Sequence, residues 1–91
     1  MKLSYTKEAI GDLIRLREFI EKKNPNAAKK IASTLRKGIS QLKTFPYIGV
    51  EVVSAPDPEV IRDLIIGNYV VRYLVHSKQI YILRIWHHKE E

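Results

Sequence analysis

Two arginines and three histidines stand where their types and spacing could do chemistry. Arg72 lies within YVVRYLVH (69–76) and Arg84 within QIYILRIWHH (79–88), runs that are otherwise largely apolar. A guanidinium in such a row needs a partner or a purpose. Its planar fork suits a phosphate or a partner's carboxylates, so one reading is an anion-binding patch. The plain alternative is a structural ion pair with Asp63, Glu51 or Glu59. Strict alternation puts Ile80, Ile82, Arg84 and Trp86 on one face of the last strand, with Gln79, Tyr81, Leu83, Ile85 and His87 on the other. In the strand before it, Val70, Arg72, Leu74 and His76 alternate against Tyr69, Val71, Tyr73 and Val75.

His76, His87 and His88 invite a metal or acid/base role. Alternation sends the adjacent His87 and His88 to opposite faces, and the spacing fits no metal site, so neither metal nor cofactor is expected. A histidine of this pair suits general acid or base work, since its ordinary pKa lies near neutrality. The bland counterpart is a solvated residue near the chain's end. No glycine-rich phosphate loop, nucleophile elbow or carboxylate pair appears.

These groups need a frame, and 91 residues allow one small domain, residues 1–91. The absence of cysteine removes disulfides and thiolate sites and suits a reducing cytoplasm. No apolar run approaches the ~20 residues that cross a bilayer, so no membrane partner is expected. The net charge of +6 is concentrated: Lys22 to Val50 carries seven basic residues and no acid. Such a local field attracts nucleic acid, an acidic protein or an anionic surface. It is also the ordinary solvated face of an amphipathic helix.

Thr6 is a capping residue, Glu8 follows in the first turn, and apolar residues recur from Ala9 to Ile20 at three-and-four spacing. The pattern predicts a helix over about 7–22. Asn24-Pro25 is a second start signal, and Ala28, Ile31, Ala32, Leu35, Ile39 and Leu42 predict a helix ending near Thr44. The short link makes the two helices antiparallel. Residues 46–58 hold three prolines and read as a loop, with a short extended piece over 50–53. Segments 60–66, 69–76 and 79–86 then read as three strands joined by two-residue turns. With a strand at 2–5, the expected fold is α+β: an N-terminal β-strand, an antiparallel two-helix hairpin, then a three-stranded antiparallel meander. Residues alone stop at a basic α+β binding domain with one open sheet face.

The order and spacing of YTKEAIGDLIRLREFIEKKNPNAAKKI, LKTFPYIG, VIRDLIIGNYVVRYLV and IYILRIWHH resemble the RelE/ParE superfamily of toxins from bacterial type II toxin–antitoxin systems. The long hairpin and the ILRIWHH ending look like the ParE branch, whose members poison DNA gyrase and stabilise plasmids. The resemblance implies a cytoplasmic, non-enzymatic growth-arrest toxin with two partners, gyrase and a cognate antitoxin. It implies a functional face of Arg62, Arg72, Arg84, Trp86, His87 and His88. Antitoxin contacts are expected at Ile14, Lys30, Arg36 and Lys37. The alternative implied is the RelE activity, mRNA cleavage on the ribosome, for which Arg72, Arg84, His87 and His88 would be catalytic. That branch commonly carries Arg where this chain has Val70. Relatives with the WHH motif often continue to an Arg where this sequence has Glu90-Glu91.

Overall fold

The computed structural model describes residues 1–90; Glu91 and the side chain of Glu90, the acidic close noted above, lie outside the described residues. The elements are β1 (Lys2–Tyr5), α1 (Lys7–Lys23), α2 (Pro25–Ser40), β2 (Val50–Glu51), β3 (Ile61–Ile66), β4 (Tyr69–His76) and β5 (Gln79–His87). They form the expected α+β fold. The sheet is mixed, in the order β1-β5-β4-β3-β2, because β1 runs parallel to β5 while the other pairs are antiparallel.

Local chemistry sets the hairpin. Thr6 accepts the Ala9 N–H on its hydroxyl at 3.1 Å, satisfying a donor that the first turn leaves open. Asn24 serves both helices: its N–H closes α1 on the Ile20 carbonyl at 2.8 Å, and its side chain accepts the Ala27 N–H at 3.1 Å to open α2. The second helix stops earlier than its apolar stripe predicts. It ends at Ser40 and tightens into a 3₁₀ turn, Gln41–Lys43, which still buries Leu42.

The helices cover one face of the sheet. Leu16, Leu35, Ile39 and Leu42 pack there against Val71, Tyr73, Val75, Ile80, Ile82 and Ile85. Each fully buried Ile or Leu contributes about 1.5–3 kcal/mol. Gly38 sits where α2 crosses β3, and a Cβ there would lie 2.6 Å from Ile66 Cδ1, so a bare backbone sets that approach. The β4–β5 turn places Ser77 and Lys78 at φ 49° and 63°, the left-handed pair of a two-residue hairpin.

One expectation about the sheet is corrected. Strict alternation along β5 fails because Arg72 pairs with Arg84 while Tyr73 pairs with Ile82, leaving Leu83 as an extra, bulged residue. Past the bulge the faces exchange. Ile85 joins Ile80 and Ile82 in the core, and Arg84 and Trp86 move to the open face that carries Val70 and Arg72.

Candidate functional site

The bulge has a physical cause at the sheet's edge. β1 ends at Tyr5, opposite Ile82, so the rest of β5 has a strand, β4, on one side only. The chain enters α1 there, and α1 supplies the missing partners. Thr6 donates its N–H to the Ile82 carbonyl at 3.0 Å and its hydroxyl to the Leu83 carbonyl at 3.1 Å. Asp12, one turn into the helix, then takes the Ile85 N–H on Oδ2 at 2.9 Å.

Arg84 closes on the same carboxylate, with Nε to Oδ2 at 2.8 Å and Nη2 to Oδ1 at 3.0 Å. Asp12 is 5% exposed, whereas the Arg84 side chain is 58% exposed. Burial by itself pushes the Asp12 carboxyl up. The Arg84 fork, the Ile85 N–H and the Arg84 and Arg15 charges outweigh that burial and hold it below its ordinary value. Arg84 is pushed up in return by the hydrogen bonds and charge of Asp12.

Arg72 follows the same rule in the middle of the open face. Its Nε and Nη2 reach Asp63 Oδ1 and Oδ2 on β3 at 2.8 and 2.9 Å, and its guanidinium lies 5.0 Å from the centre of the Trp86 ring. Trp86 in turn faces Val70 across the β4–β5 pair, and Val70 is buried although it lies outside the main core. The open face therefore carries its own platform: an indole over a valine, with a forked ion pair beside it.

The remaining expected residues lie elsewhere. Arg62 belongs to the opposite parity of β3 and turns toward the loop before β2. It donates to the Gly49 carbonyl at 3.0 Å and the Tyr47 carbonyl at 3.3 Å, and meets Glu51 at 3.5 Å. Beside it the Tyr73 hydroxyl accepts the Gly49 N–H at 2.9 Å. Burial pushes the Tyr73 phenol up, partly countered by that bond and by the Arg62 charge. His87 falls on the helix side past the bulge. It stands edge-on to Tyr69 at 5.2 Å, stacks on His88 at 5.1 Å, and accepts the Lys89 N–H on Nδ1 at 3.2 Å. His88 begins a closing 3₁₀ turn and lies 3.2 Å from the Asn68 carbonyl through Nδ1.

The single functional face expected from sequence is thus three groups: Arg72, Arg84 and Trp86 on the open side, His87 and His88 at the end of β5, and Arg62 under the loop. Sequence reasoning named Asp63 as a partner for the arginines but missed Asp12. The signal was present: in Ala-x-x-Asp-Leu, Asp12 sits one turn from Ala9 and Leu16 on the buried side of an amphipathic helix, where a carboxylate needs a cation. A cleft of about 580 Å³ opens beside His87 between Arg15, Leu16, Phe19, Ile20, Tyr69 and Lys89. Of the expected antitoxin contacts, Ile14, Lys30, Arg36 and Lys37 are all exposed. Arg36 borders the outer groove between the helices with Arg17 and Glu21, whereas Lys30 lies over the β3–β4 turn beside Gly67 and Asn68. Among the described residues, no cluster of three or more His, Asp or Glu could hold a metal ion, and no helix is long and apolar enough to cross a membrane.

A family model for the ParE toxin of the type II toxin–antitoxin system parDE matches residues 3–91. The chain belongs to the ParE toxin family. Toxin RelE2 of Caulobacter vibrioides is 30% identical to it over 84 residues, which span 91% of this chain and 90% of that protein. The fold of this toxin is also that of a chain in the chromosomal ParDE system of P. aeruginosa, with a TM-score of 0.81 at 23% identity over 96% of this chain and 95% of the other. A conserved hypothetical protein of Helicobacter pylori, HP0894, has a TM-score of 0.59 at 20% identity, over 98% and 96% of the two chains. The toxin is thus a type II toxin of the ParE/RelE superfamily, and its membership implies a cognate antitoxin.

Proposed function

We propose that this toxin arrests growth in the bacterial cytoplasm by gripping DNA gyrase, without cutting a nucleic acid, until its antitoxin covers it. The engagement of the guanidinium groups carries the reading. Cleaving a phosphodiester needs cationic and acid/base groups converging on one phosphate. Here Arg72 and Arg84 are forked onto Asp63 and Asp12, and His87 lies on the other side of the sheet past the bulge. Guanidiniums so placed act as braces of a protein-binding platform. The ParE family match supports the same target. The antitoxin's expected dock is the basic hairpin, whose cations attract an acidic segment that orders on binding.

One grouping favours ribosome-dependent mRNA cleavage as the second reading. His87, His88 and Lys89 lie together beside the Tyr69 ring. Induction in cells without antitoxin separates the two. The gyrase reading expects a DNA-damage response with transcripts intact. An immediate halt in translation, with messages cut inside codons and loss of cutting in His87→Ala protein, would replace it by the second reading.

A further inference from the structure

The basic hairpin has a counterpart that neither reading uses. Residues 51–63 hold Glu51, Asp57, Glu59 and Asp63; Arg62 meets Glu51 and Arg72 forks onto Asp63, which leaves Asp57 and Glu59 as the net charge of the stretch. Immediately before and within this acidic stretch, large apolar side chains stand in water: Phe45, Tyr47, Ile48, Val50 and Val53, with Val53 86% exposed and Val50 61%. Five such residues within nine positions are more than the scattered exposure of an ordinary surface. They are also held in place. Arg62 ties the Tyr47 and Gly49 carbonyls to β3 and lies 5.1 Å over the Tyr47 ring, while Tyr73 fixes the Gly49 N–H.

The same region is the far edge of the sheet. β2 is two residues long and pairs with Asp63 and Arg62 alone, so along Leu64–Ile66 the edge is β3 itself. By strand parity Val50 and Ile65 point to the same face, and Ile65 is 57% exposed. Edges of this kind accept a further extended segment, with side-chain contacts setting specificity.

We infer that the 45–53 loop with the β2–β3 edge is a second protein-docking surface, which takes an extended, apolar segment flanked by basic residues on the toxin's protein target. Charge chooses this occupant. Asp57 and Glu59 are exposed at the rim, so an acidic segment such as the one expected on the hairpin is repelled here and a basic one is drawn in. The two surfaces have opposite sign, so target and antitoxin are recognised by different chemistry on different parts of the chain. This rests on the reading that the toxin acts by gripping a protein.

The test uses the full chain with two variants, Val53→Lys and Asp57→Lys/Glu59→Lys, all at exposed positions where the fold has nothing to lose. Each is checked for an unchanged unfolding midpoint, then for growth arrest on induction, for gyrase inhibition and for capture by the cognate antitoxin. Expected is a rise of about tenfold or more in the dose needed for arrest and for gyrase inhibition, with antitoxin capture intact. Arrest at the wild-type dose overturns the inference, as does loss of antitoxin capture together with arrest. If wild-type toxin inhibits gyrase and the variants do so equally, this inference fails and the gyrase reading stands. If wild-type toxin arrests growth with gyrase untouched, the gyrase reading fails, and arrest by the variants still decides for or against this surface.

Discussion

Replacing Asp12 by alanine tests whether a helix can stand in for a missing strand. In the wild type its carboxylate takes the Ile85 N–H at 2.9 Å, three residues past Ile82, the last position that β1 reaches, with Tyr5 opposite it. Alanine leaves that buried N–H without an acceptor, at a cost of about 1–3 kcal/mol. A domain of this size loses about 4–8 °C of melting temperature per kcal/mol, so the midpoint should fall by roughly 4–24 °C. Asp12→Asn keeps an amide oxygen for the Ile85 N–H but gives up the charge and the second acceptor oxygen that holds Arg84 Nη2, so it should fall between the two. The sole tryptophan, Trp86, follows unfolding by fluorescence.

The pH dependence has a defined sign. The folded carboxyl is held below its ordinary value of 3.8, so its contribution is fully present above that value and fades as the pH falls through the folded pKa. Wild type should therefore lose stability below about pH 4 more steeply than Asp12→Asn. A melting temperature for Asp12→Ala within a degree or so of wild type would show that the reasoning about the β5 edge is wrong.

Other substitutions probe the remaining contacts. Gly49→Ala would put a methyl group 2.7 Å from the Tyr73 ring and 2.9 Å from the Asp63 carbonyl, and should cost about 1–3 kcal/mol by urea denaturation. Gly11→Ala, which meets nothing within 4 Å on exposed α1, should instead add about 0.5–1 kcal/mol in the same measurement. Arg72→Ala uncovers the Trp86 ring and strands Asp63, so tryptophan emission should move to longer wavelength and stability should drop by about 1–2 kcal/mol. An unchanged spectrum would mean that Arg72 does not cover the indole in solution.

Much of the frame was legible because each boundary has a local cause. Thr6 and the Asn24-Pro25 pair are capping chemistry, and the two-residue links Gly67-Asn68 and Ser77-Lys78 are hairpin chemistry. The mixed character of the sheet and the bulge at Leu83 were not legible in the same way. The first follows from β1 running parallel to β5 and the second lies just past where β1 runs out, and both depend on a pairing between residues almost eighty positions apart. Alternation counted along β5 alone therefore put Arg84 and Trp86 in the wrong row. It also hid the Asp12 pairing, because a carboxylate one turn inside α1 meets Arg84 only once the helix lies along that edge. Asp63 was within reach of sequence reasoning, since antiparallel neighbours across a two-residue turn have a countable register. The contacts of Arg62 were not legible for a simpler reason: the loop before β2, whose carbonyls it holds, has no periodicity to read.

The most direct measurement is gyrase activity in the presence of the purified, antitoxin-free chain. Micromolar toxin should suppress supercoiling of relaxed plasmid and accumulate enzyme-linked broken DNA, and stoichiometric antitoxin should restore supercoiling. Supercoiling untouched at that excess, alongside cleavage of messages on translating ribosomes by the same preparation, would contradict the account.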